Sequence, residues 1–448
     1  MARATHNLAA RGRATRKPGR TIWSKPSQLR LLLPGLKLKR WFLLLLAGTV
    51  VMGLGIGIAL TAIYRETPLP SFFYWLTLQF IARPLRAALL FSVGLGMFLL
   101  GLYRLNEVLV RAASGGDTQS ILRRLMRQHL VAQGPRVVAI GGGHGQATLL
   151  RGLKRYTANI TAIVTVADDG GSSGRLRREL GTLPPGDFRM CIAALADEES
   201  LVTQLMQYRF GGNSNGLSGH SFGNLFIVAL AELTGSFERA VAESSKVVAS
   251  QGRIVPSTLT NVTLCAEYQP VKEGAPMWAR GESSIGKANA PIARVWLEPS
   301  DPPAYPDAVK AILEADIVVL GPGSLFTSVM PNVLVPGIVE ALRQTRALRV
   351  YVSNVATERG ETDGFSLSDH VHALERHIGL GIIDIVLANK QPIPPEALPA
   401  GVNAVLPEEQ IANSRVRVVA ADLVDEQAPS QHHPDKLARA VLDLLNTE

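Results

Sequence analysis

The sequence predicts an α/β protein: a doubly wound, mostly parallel sheet preceded by two N-terminal transmembrane helices. Three observations carry this. After residue 135, apolar runs of four to seven residues alternate with longer helical stretches, the pattern of a parallel sheet covered on both faces. The first run passes directly into a glycine-rich turn and then a helix, as strands of such sheets do where they hold ligands. Ahead of them lie two long uncharged segments, 41–63 and 87–103.

Residues 1–40 form a basic tail with 11 Lys/Arg and no acid. Segment 41–63 has 23 residues without a charge, enough to cross a hydrocarbon core of ~30 Å. It opens on Trp41, suited to the membrane interface. The loop 64–86 contains an uncharged aromatic stretch framed by Pro68, Pro70 and Pro84; it is too short to span and reads as an external, interfacial segment. Segment 87–103 has 17 uncharged residues, near the short limit for a second span. Arg104, Arg111, Arg123, Arg124 and Arg127 follow it. Positive charge on both flanks places both in the cytoplasm. The expected location is the inner (cytoplasmic) membrane, multi-pass, with the globular part in the cytoplasm. A cleaved signal peptide is disfavoured by the long basic region, the long apolar run and the second span. Residues 104–134 read as a helical cytoplasmic connector, broken at 113–116, and 135–448 as the ligand-binding domain.

The net charge of +9 is unevenly distributed. Up to residue 134, 19 Lys/Arg face only Glu66, Glu107 and Asp117, whereas the remainder holds 27 basic and 34 acidic residues. A basic arm beside apolar segments suits membrane lipid rather than nucleic acid, and no nucleic-acid partner is expected. Cys191 and Cys265 have neither CxxC nor zinc spacing and read as buried, reduced thiols.

Within 135–448, strands are expected at 136–140, 160–166, 316–320, 349–352 and 382–387. Helices are expected at 146–156, 188–197, 224–233, 336–344 and 367–377. Residues 254–297 read as a small β excursion, with strands at 258–267 and 293–298 around a Gly/Pro-rich stretch.

The first strand runs into GGGHGQ, that is Gly141, Gly142, Gly143, His144, Gly145 and Gln146. Such a turn lets backbone N–H groups and a helix N-terminus meet a phosphate. Gln146 stands where a dinucleotide fingerprint has its third glycine. The second strand ends in Asp168, Asp169, Gly170, Gly171 and Ser172, followed by basic Arg175, Arg177 and Arg178. Paired carboxylates there can accept ribose hydroxyls or hold a cation, or simply cap the turn. Asp187 and Arg189 lie in GDFR, and His220 and Asn224 in GHSFGN. The strand at 316–320 leads into Gly321, Pro322, Gly323 and Ser324, a second glycine turn before a hydroxyl-rich helix start. Asn354 and Asn389 end two further strands; amides there can read a base or a sugar. Residues 281–288 (GESSIGKA) nearly spell a P-loop, but Ala288 replaces the Mg²⁺-binding hydroxyl and no apolar strand precedes it. This stretch reads as a β-hairpin loop. His370, His372 and His377 share one helix without metal-ligand spacing, and no hydrolytic triad has local support.

Taken in order, GGGHG, ADDGGSSG, PPGDFR, LSGHSFGNL, GPGSLFTSVMPN, NVATERGETDGFSLSDHV and DIVLANK resemble the gluconeogenesis-factor (YvcK-like) family, itself similar to 2-phospho-L-lactate transferases (CofD-like proteins). The resemblance covers 136 to about 448 and says nothing about the membrane segments. It implies a Rossmann-like fold and a UDP-sugar ligand, especially UDP-N-acetylglucosamine, in the crevice at the strand ends. It also implies a regulatory role in cell-wall precursor supply, and thereby cell shape, during gluconeogenic growth, without implying catalysis. The glycine loop, Asp168 and Asp169 would face the nucleotide; Asn224, Gly321, Gly323, Ser324, Asn354 and Phe365 would line the rest. Phe365 stands where the family is expected to show Tyr, and Gln431-His432-His433 where it often shows Arg-His-Asp. A homo-oligomer and a cell-wall precursor enzyme are the expected protein partners. The related transferases carry a second reading, an Mg²⁺-dependent enzyme acting on a deazaflavin, in which Asp168 and Asp169 would hold the metal.

Overall fold

Seven strands form one parallel sheet in the order β10-β9-β8-β7-β1-β2-β3. In the computed structural model the described residues are 131–446, apart from 197–200, 212–215, 270–276, 289 and 413, together with 91–100 and scattered positions between 49 and 103. The strands are β1 (Val137–Gly141), β2 (Ile160–Val164), β3 (Arg253–Pro256), β7 (Ile317–Leu320), β8 (Leu348–Val352), β9 (Ile385–Asn389) and β10 (Arg417–Ala421). Residues of β1, β7 and β9 are buried without exception, which is why these segments read as unbroken apolar runs rather than alternating ones.

From β1 the chain builds outward through β2 to β3, then returns to lay β7 against the other side of β1 and continues to β10. The order therefore reverses between β1 and β7. In open α/β sheets the crevice outside the carboxyl ends of two such strands is where ligands sit. Helix α1 (Gly143–Leu153) leaves β1 and packs against both α3 (Gly186–Leu195) and α12 (Pro434–Asp443), the last long helix of the chain. The Rossmann-like doubly wound sheet thus matches the sequence expectation.

Several elements depart from it. Helix α1 starts three residues early, because Gly143, His144 and Gly145 form its first turn. The expected strand 382–387 lies at Ile385–Asn389; Ile382 and Ile383 are buried ahead of it in a loop, so burial alone could not locate the boundary. Residues 253–256 belong to the main sheet as β3, not to the β excursion. The excursion itself is a three-stranded antiparallel sheet in the order β5-β4-β6, from β4 (Thr263–Tyr268), β5 (Trp278–Arg280) and β6 (Ile292–Glu298). Strands β5 and β6 both pair with β4. The P-loop-like stretch between them is therefore no hairpin loop: it holds a helical turn, α7 (Glu282–Ile285). Strand β10, the hairpin of β11 (Val424–Asp425) and β12 (Ala428–His432), and α12 had no counterpart in the expected elements.

The chain divides into two units, Met1–Val110 and Arg111–Glu448. In the first, Phe91–Leu100 is an apolar helix within the expected second span. Nearly all of 41–63 and of the connector 104–134 lies outside the described residues. Among the described residues no single helix is long and apolar enough to cross a membrane.

Candidate functional site

Two glycine turns meet at the switch point. Gly145, in the first turn of α1, lies against the β7 loop so closely that a Cβ on it would fall 2.4 Å from the Pro322 carbonyl oxygen and 2.8 Å from the Gly323 Cα. Gly143 adopts φ +63, a left-handed conformation that favours glycine. The N-cap, Gly142, offers no side-chain acceptor, so apart from the Gly143 N–H, which Asp187 takes, α1 leaves first-turn N–H groups for a ligand. Gly142, Gly143, His144, Gly145, Gly323 and Ser324 border a cleft of about 570 Å³, a size that suits a small-molecule ligand. Asn354 and Glu358 after β8, and Ser430, Gln431 and His432 of β12, close its far side.

Gln146 explains the missing third glycine. It is fully buried, and its amide donates to the carbonyls of Ala139 (2.9 Å) in β1 and Ile163 (3.0 Å) in β2. Its oxygen accepts from the Cys191 thiol at 3.4 Å. The side chain ties β1, whose end forms one wall of the site, to its neighbour β2, a task glycine cannot perform. Beneath β7 the expected hydroxyl-rich helix is a π-helical turn, Leu325–Val329, before a short helix α9 (Met330–Val333). From α9, Asn332 donates to the Gly141 carbonyl at 3.0 Å.

The β8 side is held by a relay. The Gly323 N–H donates to the Asn354 side-chain oxygen (3.2 Å), and the Asn354 amide donates to Glu358 (3.2 Å). Thr327 donates to Glu361 at 3.0 Å. One carboxyl oxygen each of Glu358 and Glu361 is buried without a hydrogen-bond partner, as is the hydroxyl of Tyr351 on β8. Burial raises the Glu358 carboxyl, and burial together with the neighbouring Glu358 pushes Glu361 up to about 8.

A second group of carboxyls lies on the β2 side. Asp187 is buried, accepts from the Gly143 N–H and is pushed up to about 7, first by burial and then by Asp168. Burial likewise raises Asp168, whose oxygen accepts from the Gly170 N–H at 2.9 Å. Asp169 accepts from the Ser283 N–H at 2.8 Å, which fastens the α7 turn onto the site. Glu282, in that turn, is pushed up to about 7 by burial and by Asp168, Asp169 and Asp187. Among the described residues, no three His, Cys, Asp or Glu side chains converge on a metal position.

Ser172, near the start of α2 (Gly171–Leu180), accepts from the Asn224 amide at 3.0 Å and lies 2.9 Å from His220 Nδ1. Asn224 in turn accepts from Arg189 Nε at 3.0 Å. Burial lowers His220, and a neutral imidazole can accept the Ser172 proton at Nδ1.

Of the residues singled out in the sequence, Gly142, Gly143, His144, Gly145, Gly323, Ser324 and Asn354 share the cleft. Gly141 ends β1 and Gly321 follows β7, just behind it. Asp168, Asp169, Gly170, Gly171, Ser172, Asp187, Arg189, His220 and Asn224 form the adjoining polar network. Two are elsewhere. Phe365 packs edge-on against Phe326 and His370 and does not line the cleft. Asn389 is buried with its side chain committed to Gln391 and the Leu423 N–H. Gln431 does border the cleft, while His433 caps α12 by accepting from the Asp435 and Lys436 N–H groups. His370 and His377 bond to carbonyls of their own helix, and His372 to the Ala412 carbonyl, none of them at the cleft. Both cysteines are free and buried. Sequence reasoning missed Glu282, Glu358 and Glu361, although the last two stand inside ERGETDGF, a stretch read as a family motif in which only the Phe was singled out.

Comparison with known proteins agrees with this architecture. The family model described as 2-phospho-L-lactate transferase CofD matches residues 137–424. A relative from Nostoc sp. is 43% identical over 419 residues, covering 91% of each chain. The gluconeogenesis factor of Bacillus subtilis is 47% identical over 266 residues, 59% of this chain and 82% of that one. A crystal structure of a UPF0052-family protein from Bacillus halodurans superposes with a TM-score of 0.65 at 43% identity, covering 69% of this chain and 99% of that one. On these matches the chain belongs to the CofD family and, within it, to the group of the gluconeogenesis factors.

Proposed function

We propose that the protein is a regulatory UDP-sugar-binding protein, with UDP-N-acetylglucosamine as its ligand, supporting cell-wall precursor supply and cell shape during gluconeogenic growth. One observation carries the reading: two glycine turns face each other across the β1/β7 switch point and border a single cleft. A diphosphate would lie over the first turn of α1, where N–H groups and the helix dipole favour negative charge. Asn354 braces the β7 loop from the β8 end of the cleft, where the uncharged part of the ligand would lie. The growth role is carried over from relatives that bear the gluconeogenesis-factor name. The apolar runs 41–63 and 87–103, with basic flanks, support anchoring in the inner membrane with this domain in the cytoplasm. Homo-oligomerisation and contact with a cell-wall precursor enzyme belong to the same proposal.

The test is calorimetric titration of the full-length chain with UDP-N-acetylglucosamine, with and without Mg²⁺. Micromolar binding that needs no metal and is weakened by Asn354→Ala supports the reading; absence of binding refutes it. A second reading draws on the family match and on the carboxyls beside the glycine loop, an enzyme like the 2-phospho-L-lactate transferases. Asp168 and Asp169 are hard oxygen donors, each with one oxygen already engaged. They suit an Mg²⁺ ion that arrives with phosphate ligands better than a preformed metal cage. Mg²⁺-dependent binding of a deazaflavin or guanine nucleotide, with none of the UDP-sugar, would favour it.

A further inference from the structure

The cleft carries an apparent contradiction. Its β1 and β7 walls offer backbone donors to an anion, yet its β8 wall presents a glutamate. Glu358 is joined to the phosphate-binding side by its bond from Asn354, which in turn holds the Gly323 N–H. One of its oxygens accepts from Asn354 at 3.2 Å, and Ser324 also bonds to the carboxyl. The other is buried without a partner, as is the Tyr351 hydroxyl on β8, while the residue as a whole borders the cleft. A phosphate group beside that carboxyl would meet repulsion if the carboxyl is ionised. If it is protonated, a phosphate gains only one donor from it. A sugar hydroxyl suits the position in either state, since it both donates and accepts, and a buried polar atom left unpaired costs about 1–3 kcal/mol.

We propose that Glu358 is the specificity-determining group of this cleft, recognising hydroxyl groups of the sugar and so fixing the direction in which the nucleotide sugar lies. The diphosphate spans the first turn of α1 and the β7 loop, and the sugar occupies the β8 end beneath β12. This assignment rests on the UDP-sugar reading and adds to it which moiety each wall holds.

The experiment compares UDP-N-acetylglucosamine with UDP, by calorimetry on the full-length chain, in the parent protein, Glu358→Gln and Glu358→Ala. Thermal unfolding of each variant checks the fold. Glu358→Ala is expected to weaken UDP-N-acetylglucosamine at least tenfold while UDP changes by less than twofold. Glu358→Gln, which keeps an acceptor and a donor, should lose less. An equal loss for both ligands would overturn the assignment, because the residue would then act through Asn354 and the phosphate loops. No loss for either ligand would overturn it as well. Should the alanine variant fail to fold, the glutamine variant decides by the same ratio: a loss confined to the sugar ligand sustains the assignment, and an unchanged ratio overturns it. If the parent protein binds UDP but not the nucleotide sugar, the functional reading itself fails, a result distinct from either of these.

Discussion

Gly145→Ala separates two physical effects of opposite sign. In the interior of an exposed helix, alanine is favoured over glycine by about 1 kcal/mol, so propensity alone predicts a more stable protein. Here the new Cβ would stand 2.4 Å from the Pro322 carbonyl oxygen and 2.7 Å from its carbon. These atoms are backbone, and optimal contacts lie at about 3.5–4.0 Å, so the β7 loop must retreat by roughly 1 Å. Overpacking of this kind costs about 1–3 kcal/mol. The net expectation is a destabilisation of up to about 2 kcal/mol, or up to about 4 °C in Tm for a domain of this size. Ligand affinity should suffer more, because the displaced loop is the one that closes the cleft. A loss of about tenfold to a hundredfold, equivalent to roughly 1.4–2.8 kcal/mol, should appear in a UDP-N-acetylglucosamine titration. A variant with raised Tm and parental affinity would refute the close approach of the two glycine turns as the origin of the site.

Three further outcomes follow from the same geometry. Gln146→Leu removes two buried hydrogen bonds to strand carbonyls and the acceptor of the Cys191 thiol; chemical denaturation should show a loss of about 2–3 kcal/mol. Burial and the neighbouring Asp168 push Asp187 up to about 7, far above its ordinary range, so the folded state binds that proton more tightly than the unfolded chain. Its contribution to stability is present in acid and lost as pH rises toward 7; Asp187→Asn should flatten the fall in unfolding free energy between pH 4 and 8, and an unchanged pH profile would argue against a buried carboxyl there. Gln431→Arg restores at the cleft rim the basic residue expected of the family, and should tighten UDP-N-acetylglucosamine by about threefold to tenfold, as one partly solvated ion pair allows.

The sheet was legible because buried parallel strands write themselves as unbroken apolar runs, and the glycine turns because each follows such a run directly. Edge elements were not. Strand β3 is four residues long and ends in Pro256, and β10 has mixed exposure, so neither shows a clear periodicity. The shape of the P-loop-like stretch was misjudged, because the local sequence does not reveal that the Ser283 N–H is taken by Asp169, 114 positions away. The polar network around Ser172 was visible only as scattered motifs, since His220 and Asn224 reach it through the fold. Phe365 was drawn toward the cleft by resemblance alone; its ring instead fills the space beside Phe326.

The packing of α12 on α1 gives the fold a temporal character. The central strand β1 is synthesised early in the globular unit, yet its second neighbour, β7, follows about 180 residues later, an interval of about 10–40 s at ordinary translation rates. The outer face of α1 waits longer still, for the C-terminal helix. Until β7 is made the glycine turn has no opposite wall, and the nascent sheet exposes an unfinished edge at β1. The β12 wall, with Ser430, Gln431 and His432, is the last part of the cleft to be made.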